Sequence, residues 1–234
     1  MRPSVGGGYG VAPVTEEDDP YRMYLVLRRG AIDSLARAGE LAGAAAVACL
    51  RGLGTEPEHV DAVAAWKQRP GKVCLRARNP TQWEQVLELP HALAGDADGE
   101  GVVALPPRRR SERGELLEKL QAMSGALEPL PERIPEADAD DPAATPKPVT
   151  YLVNPRLQMS TGKTIAQIAH GATAAAGTGA LEPWVAAGCP ANVISPPQAQ
   201  FDAMCGRSDL AAKIVDAGLT EVPPGTVTVL AVAV

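Results

Sequence analysis

The stretch that most constrains the fold is Tyr151 to Ala176, where an apolar run, a polar turn and a helical pattern follow one another directly. Lys163, Gln167 and His170 are separated by four and then three residues, so a helix of 3.6 residues per turn places them on one face. The sequence therefore predicts a strand, a turn and a helix whose polar stripe lies where an open α/β sheet binds its ligands.

The start of this helix is itself polar. Either Ser160 or Thr161 can cap the first free N–H groups, and amide groups beside Lys163 favour a bound anion. Taken singly, however, Lys163 is a typical solvated helix lysine and His170 a typical hydrogen-bonded core histidine. A functional interpretation therefore needs a second signal elsewhere in the chain.

That second signal lies in Ala212 to Val232, where a short strand leads into Asp216-Ala-Gly-Leu-Thr220, a Pro-Pro-Gly turn and a terminal strand. The two segments together resemble the archaeal and eukaryotic, or type 2, family of peptidyl-tRNA hydrolases. Its pattern has a strand, a Met-x-x-Gly-Lys-x-x-x-Gln-x-x-His helix and a late Asp-Ala-Gly-x-Thr before Pro-Gly. The resemblance covers about residues 149 to 234 and rests on Met159, Gly162, Lys163, Gln167, His170, Asp216, Ala217, Gly218, Thr220, Pro224, Gly225 and Thr226.

The resemblance implies a small mixed α/β sheet flanked by helices, and hydrolysis of the ester between a peptide and the ribose of a tRNA without a cofactor. In that chemistry Asp216 or His170 orients or deprotonates a water molecule. Lys163 and the N–H groups opening its helix stabilise negative charge, and Thr220 donates a positioning hydrogen bond. The expected catalytic set is Lys163, Gln167, His170, Asp216 and Thr220, and the expected tRNA contacts in this half are Arg156, Ser160 and Thr226.

The chain departs from the family pattern at two places. The first strand is followed by Asn154-Pro155-Arg156-Leu157, where the family has Arg-x-Asp-Leu. The late motif has Leu219 and Glu221, where the family has Arg and Gln. Fewer positive groups neutralise fewer tRNA phosphates, so we expect these changes to weaken substrate affinity.

The first half of the chain contains a second, weaker version of the same pattern. Tyr24-Leu25-Val26 restates Tyr151-Leu152-Val153 and is followed by another alanine-rich helix. Aligning Ser34 with Ser160 sets Arg37 opposite Lys163, Leu41 opposite Gln167 and Ala44 opposite His170, while no first-half segment matches Asp216 to Thr220. The expected strands are Lys72–Arg76, Val102–Leu105, Asn192–Ser195, Lys213–Val215 and Thr226–Val232, and the expected helices are Thr81–Leu93, capped by Asn79, and Gln198–Cys205.

We therefore predict two tandem copies that pair within one chain as a pseudo-dimer with one competent site. The predicted organisation is a disordered tail at 1–19, a degenerate hydrolase-like domain at 20–127, an acidic Pro-rich linker at 128–148 and an intact domain at 149–234. Arg28, Arg29 and Arg37 then become candidates for the tRNA phosphate contacts that the second copy lacks. The alternative is that these arginines are simply solvated.

Composition narrows the remaining choices. A net charge of −6 and 3% aromatic residues do not suit a strongly basic nucleic-acid binder or a stacking platform for single strands. No apolar run reaches membrane-spanning length, so we expect a cytoplasmic protein that does not bind membranes. The four cysteines have no Cys-x-x-Cys spacing and are expected to be reduced thiols, and no metal-ligand set is evident.

Two other functions are compatible with parts of the sequence. Gly162-Lys163-Thr164 after a strand resembles the end of a nucleotide-binding phosphate loop, but that motif requires a glycine where this chain has Leu157. The chain could instead retain the hydrolase fold as a non-catalytic module that binds tRNA or protein. We favour catalysis because all five expected catalytic residues occur together.

Overall fold

The computed structural model describes residues 19–134, 146–218 and 220–233. Two mixed β-sheets are flanked by helices, which confirms the predicted fold class. We call residues 19–127 the first unit and the described residues from 146 onward the second unit. In the described ranges no helix is long and apolar enough to cross a membrane.

The first unit contains five strands and four α-helices. Its last helix has six residues, and its last strand has two. In chain order they are β1 (Tyr21–Arg28), α1 (Leu35–Arg51), α2 (Val60–Gln68), β2 (Lys72–Ala77), α3 (Pro80–Leu87), β3 (Ala92–Gly95), β4 (Gly101–Arg109), α4 (Gly114–Lys119) and β5 (Gln121–Ala122).

The second unit has four strands and three α-helices in its described residues. In chain order they are β6 (Val149–Val153), α5 (Thr161–Gly177), α6 (Glu182–Ala186), β7 (Ala191–Ile194), α7 (Gln198–Cys205), β8 (Ala212–Val215) and β9 (Val227–Val232).

The two sheets have the same topology. The first runs β3-β4-β1-β2-β5, and the second, in the same direction, runs β8-β9-β6-β7. In both, the first strand pairs in parallel with the second and antiparallel with the fourth. Among the strands and α-helices of the described residues, α4 and β5 lack a counterpart, and β5 extends the sheet at β2. This is the topology expected of two tandem copies.

The register shows which residues of the two units correspond. Leu25 pairs with Ala104 and lies on the face packed against α1. Tyr151 pairs with Ala231 and lies on the face packed against α5. Leu25 is therefore the counterpart of Tyr151, so the alignment of Tyr24 with Tyr151 is wrong by one residue, which in a strand means the opposite face.

The long helices α1 and α5 pack against each other between the two sheets. Small residues allow this close approach: a Cβ atom at Gly39 would lie 2.6 Å from Cδ1 of Ile168, and one at Gly43 would lie 3.0 Å from Cβ of Ala172. Ile165 of α5 is buried in the core of the first unit, and Val47 of α1 in that of the second. Each unit therefore completes the hydrophobic core of the other.

Two predicted boundaries need correction, that of the helix at α3 and that of the N-terminal tail. The helix expected at Thr81–Leu93 is wrong in its second half, because α3 ends at Leu87 before Pro90 and is followed by β3. Asp19, predicted to belong to the tail, accepts hydrogen bonds from the N–H and hydroxyl of Ser111. Residues 1–18 of that predicted tail lie outside the described residues.

The predicted linker is only partly a spacer. Glu128 exchanges backbone hydrogen bonds with the start of α1, and the carbonyl of Pro131 accepts from the N–H of Ser195. Ile134 packs against the outer core of the second unit. Residues 128–134 are thus ordered against both units, contrary to the prediction, because they bury apolar side chains. Residues 135–145 of the predicted linker lie outside the described residues.

Candidate active site

The N-terminus of α5 is capped by groups of the chain itself. Ser160 caps the helix by accepting from the N–H of Lys163, at 3.2 Å. The Glu221 carboxylate accepts from the N–H and the hydroxyl of Ser160, at 2.6 and 2.7 Å. The N–H of Gly162 donates to the carbonyl of Met123 in the first unit, at 3.0 Å. Glu221 thus places a carboxylate at the helix end where the sequence predicts a bound anion, and binding of an anionic ligand by these amides stays a prediction.

A buried ionic cluster lies one turn further along α5. The Lys163 ammonium donates to Oδ2 of Asp216 at 2.5 Å, and Nε2 of Gln167 donates to the same oxygen at 3.0 Å. Oδ1 of Asp216 accepts from the N–H of Gly218 at 2.8 Å. The exposed fractions of the Lys163 and Asp216 side chains are 13% and 7%. The stripe predicted on the helix face thus meets the late motif through its aspartate.

The turn that carries Asp216 is fixed by its glycines and prolines. Gly218 has φ of +74°, and a Cβ atom there would lie 2.4 Å from the nitrogen of Pro224. The N–H of Gly225 donates to the Asp216 carbonyl at 2.9 Å. The Asp-Ala-Gly and Pro-Gly elements of the motif therefore form one closed loop that holds the carboxylate against α5.

Thr228 is a member of this cluster that sequence reasoning missed. Its hydroxyl donates to Oε1 of Gln167 at 2.5 Å, and its side chain is fully buried. With Oε1 accepting from Thr228, the amide of Gln167 is oriented so that Nε2 faces Asp216. The available signal was a single threonine inside the otherwise apolar strand Val227–Val232.

His170 lies on the same helix but contacts the other unit. Its Nδ1 is 3.0 Å from Nζ of Lys72 in β2. Burial and the nearby charges of Lys72, Lys163 and Arg22 hold the pKa of His170 well below its ordinary value. The imidazole is therefore neutral at neutral pH. No sequence pattern pointed to Lys72, which is distant along the chain.

The remaining predicted residues of the second unit lie at the edge of the cluster or beyond it. Thr220 is exposed and, within the described ranges, makes no hydrogen bond to the cluster. The hydroxyl of Thr226 donates to the carbonyl of Pro223 at 2.7 Å. Arg156 forms an exposed ion pair with Asp202 at 3.2 Å. The structure thus joins Lys163, Gln167 and Asp216 directly, with His170 beside them.

The arginines predicted as tRNA contacts in the first unit lie around a different loop. Arg28 donates to the carbonyl of Asp98 at 2.9 Å, and Arg37 donates to the Glu100 carboxylate at 3.1 Å. Arg29 is exposed. Within the described ranges, Arg28 and Arg37 therefore bind groups of the first unit and not the cluster at Asp216.

That loop is the counterpart of the Asp216 turn. Asp96 follows β3 as Asp216 follows β8, and Oδ1 of Asp96 accepts from the N–H of Asp98 at 3.0 Å. The expectation that nothing in the first half corresponds to the late motif is therefore wrong in structure. Leu41 lies beside Gly95, the last residue of β3 before this loop, whereas its counterpart Gln167 lies beside Asp216 in the second unit.

The cysteines and possible metal ligands add no further site. All four cysteines are free, as predicted. Burial raises the pKa of Cys49 to about 12 and that of Cys189 to about 11, so these thiols are protonated at neutral pH. Among the described residues no group of three or more His, Cys, Asp or Glu side chains is placed to hold a metal ion.

Fold and site together define a class: a small mixed α/β domain that presents a buried Lys/Gln/Asp cluster at a strand–helix junction. Residues 149–233 match the sequence model of the family described as peptidyl-tRNA hydrolase PTH2, so the second unit is a domain of that family. No solved structure matches the chain. The family resemblance is thus confirmed, and the first unit lies outside the matched residues.

Proposed function

We propose that the second unit hydrolyses the ester bond between a peptide, or an N-blocked amino acid, and the ribose of a tRNA. The observation that carries this proposal is the buried contact of Lys163 and Gln167 with Asp216 inside a domain of the peptidyl-tRNA hydrolase family. The family match supports a hydrolase-type activity, and the substrate and the roles of individual residues are our inference.

The hydrogen-bond count of Asp216 suggests where the attacking water binds. Each carboxylate oxygen has two acceptor positions. Oδ2 uses both, for Lys163 and Gln167, whereas Oδ1 uses one, for the N–H of Gly218. In our proposal the free position on Oδ1 accepts a proton from water as its oxygen attacks the ester carbonyl. The proton then passes to the ribose oxygen as the ester bond breaks.

Lys163 is proposed to stabilise the oxyanion. One of its three N–H bonds is directed at Asp216, which leaves two for the developing charge. Gln167 is proposed to hold the carboxylate in register through Thr228. Thr220, which is exposed, is proposed to complete the catalytic set by donating a positioning hydrogen bond to the substrate.

The proposed partner is tRNA. Arg156 and Arg29 are exposed and suited to phosphate contacts, because an exposed ion pair such as that of Arg156 is easily exchanged. Thr226 and, at the loop of the first unit, Arg28 and Arg37 are further proposed contacts. Ser160 is the weakest of them, because Glu221 already binds its hydroxyl. Two tandem copies, paired through α1 and α5 as a pseudo-dimer, complete the proposal.

The deciding experiment is release of free tRNA from an N-blocked aminoacyl-tRNA at low salt. We expect wild-type turnover, with a loss of about a hundredfold or more in Lys163→Ala. Arg37→Ala, at the equivalent position of the first unit, is the matched control and should retain the rate constant. A folded protein that binds tRNA without turnover would instead support the alternative, a non-catalytic tRNA-binding module.

A further inference from the structure

Lys72 reaches from the first unit to the polar face of α5. Its Nζ is 3.0 Å from Nδ1 of His170 and 3.0 Å from Oγ1 of Thr173. Its ammonium also lies over the ring of Trp66, 4.6 Å from the centroid. A side chain of the first unit therefore completes the surroundings of a polar residue next to the ionic cluster.

These contacts suit a charged lysine. The hydroxyl hydrogen of Thr173 is directed at the carbonyl of Ala169, at 3.0 Å, or of His170, at 3.2 Å, so Oγ1 accepts from Lys72. Thr173, His170 and the π face of Trp66 then supply one acceptor for each of the three ammonium N–H bonds. Burial lowers the pKa of Lys72 well below its ordinary value. Hydrogen bonds from the ammonium to these acceptors stabilise the charged form and so act to raise the pKa.

We propose that Lys72 is a positioning residue of the hydrolytic site: it donates to Nδ1 of His170 and fixes the imidazole in the neutral form with its proton on Nε2. His170 then presents an N–H donor toward the site and is not its general base. Assigning Lys72 to a hydrolytic site rests on the function proposed above. The contact between Lys72 and His170 is independent of that function.

The charges around His170 all favour this state. Lys72 faces it from β2, Arg22 from β1 and Lys163, which is paired with Asp216, from its own helix. Arg22 reaches this region across Gly71, where a Cβ atom would lie 2.3 Å from its NH1 atom. Protonating His170 would bury another positive charge beside Lys72 and Arg22, so burial and these cations together keep it neutral.

The position of the second unit that corresponds to Lys72 is apolar. Lys72 pairs with Met23 in the first sheet, and Ala191 pairs with Val149 at the same register of the second. Ala191 belongs to one apolar cluster with Ala44 and Val47, the counterparts of His170 and Thr173. The lysine thus occurs only on the side where the partner helix carries a histidine, as expected if it serves that histidine.

Nitrogen NMR of the histidine side chains tests this directly, since the chain has only His59, His91 and His170. In the wild type we expect His170 as the Nε2–H tautomer, resisting protonation in mild acid. In Lys72→Met its pKa should rise by about one pH unit or more and the tautomer preference should relax. Lys67→Met, an exposed lysine on α2, is the charge-matched control and should leave His170 unchanged.

An unchanged His170 titration and tautomer in Lys72→Met, with His59 and His91 signals at their native positions, would overturn the proposal. Because this readout needs no turnover, it separates the role of Lys72 from the proposed hydrolysis. If the protein hydrolyses N-blocked aminoacyl-tRNA, Lys72→Met should also move the acidic limb of its pH–rate profile upward, and Lys67→Met should not. An acidic limb at the same pH in both variants would contradict the assigned role in the site.

Discussion

The two units make the same aspartate turn, but among the described residues only the second unit has helix side chains that donate to the aspartate carboxylate itself. Oδ1 of Asp96 accepts from an N–H two residues on at 3.0 Å, and Oδ1 of Asp216 does so at 2.8 Å. The neighbouring helix offers Leu41 in the first unit and Gln167 in the second. The comparison teaches that the aspartate closes a hairpin in both units, and that the site is specified by the helix facing it.

The difference between the two helices also shows in the space beside each turn. Leu41 and Ala44 line a mainly apolar cavity of about 360 Å³, with Leu93, Ala94 and Gly95 of the first unit on one side and Val185, Gly188 and Cys189 of the second unit on the other. The counterparts of Leu41 and Ala44 in the second unit are the polar residues Gln167 and His170, which contact Asp216 and Lys72. A polar cluster buried on this scale persists only where its groups satisfy one another.

The largest effect on activity is expected at Asp216 and not at its counterpart Asp96. Asp216→Asn keeps the acceptor for the Gly218 N–H but directs an amide NH₂ at Lys163, so we expect kcat/KM to fall about a hundredfold, or about 2.7 kcal/mol. Asp96→Asn makes the same change in the first unit and should leave kcat/KM unaltered. Equal activities of the two variants in the tRNA-release assay would remove Asp216 from the proposed mechanism.

Gly162 tests the contact between the units at the start of α5. A Cβ atom there would lie 2.6 Å from the Met123 carbonyl oxygen, so Gly162→Ala should lower the free energy of unfolding by about 2 kcal/mol, although alanine is the better helix former. Gly177→Ala, in the last turn of the same helix with open space around it, is the control. Urea unfolding checks both, and equal stabilities would mean that Met123 can move away freely.

Gln167→Leu gives the second unit the residue that the first unit has at this position. The leucine cannot donate to Asp216 and leaves the Thr228 hydroxyl without its acceptor on α5, so we expect kcat/KM to fall about tenfold, or about 1.4 kcal/mol. Thr228→Val should cost less. In the double variant the losses should not add, because the two residues act through one hydrogen bond. Additive losses would show that they act independently.

The smallest effect concerns pH. The pKa of His170 is depressed in the folded protein, so the unfolded chain binds a proton first as pH falls below 6.5, its ordinary value. Stability is then lost below that pH, by at most about 1.4 kcal/mol per unit, until the folded pKa is reached. His170→Ala, which matches Ala44 of the first unit, should lose less stability than wild type between about pH 7.5 and 5.5. Equal losses in urea unfolding would contradict the depressed pKa.

Much of the local structure of both units could be predicted from local signals. Helix α7 spans Gln198–Cys205 as expected, Ser160 caps α5 and Asn79 caps α3. These features depend on residues close together in the chain. The contact of the Lys163 stripe with Asp216 could be expected only through the family resemblance, because 53 positions separate the two residues.

The rest depended on distant pairings that no local pattern encodes. β3 has the sequence Ala-Leu-Ala-Gly, in which alanine and glycine favour strands weakly, so the sequence predicts its first two residues as the end of a helix. The matching letters of Tyr24-Leu25-Val26 and Tyr151-Leu152-Val153 concealed a shift of one residue that reverses which face is buried. Lys72 lies 98 positions from His170 in the sequence, at the start of β2, and no motif marks that strand.

The shared middle layer has a consequence for the order in which the protein is made. Helix α1 is complete at Arg51, whereas the first residue of α5 is Thr161, so the ribosome must add 110 further residues before the two can meet. At 5–20 residues per second this takes roughly 6–20 s. Throughout that interval the glycine- and alanine-lined side of α1 has no partner on the nascent chain. The core of the first unit is therefore incomplete until α5 of the second unit has been synthesised.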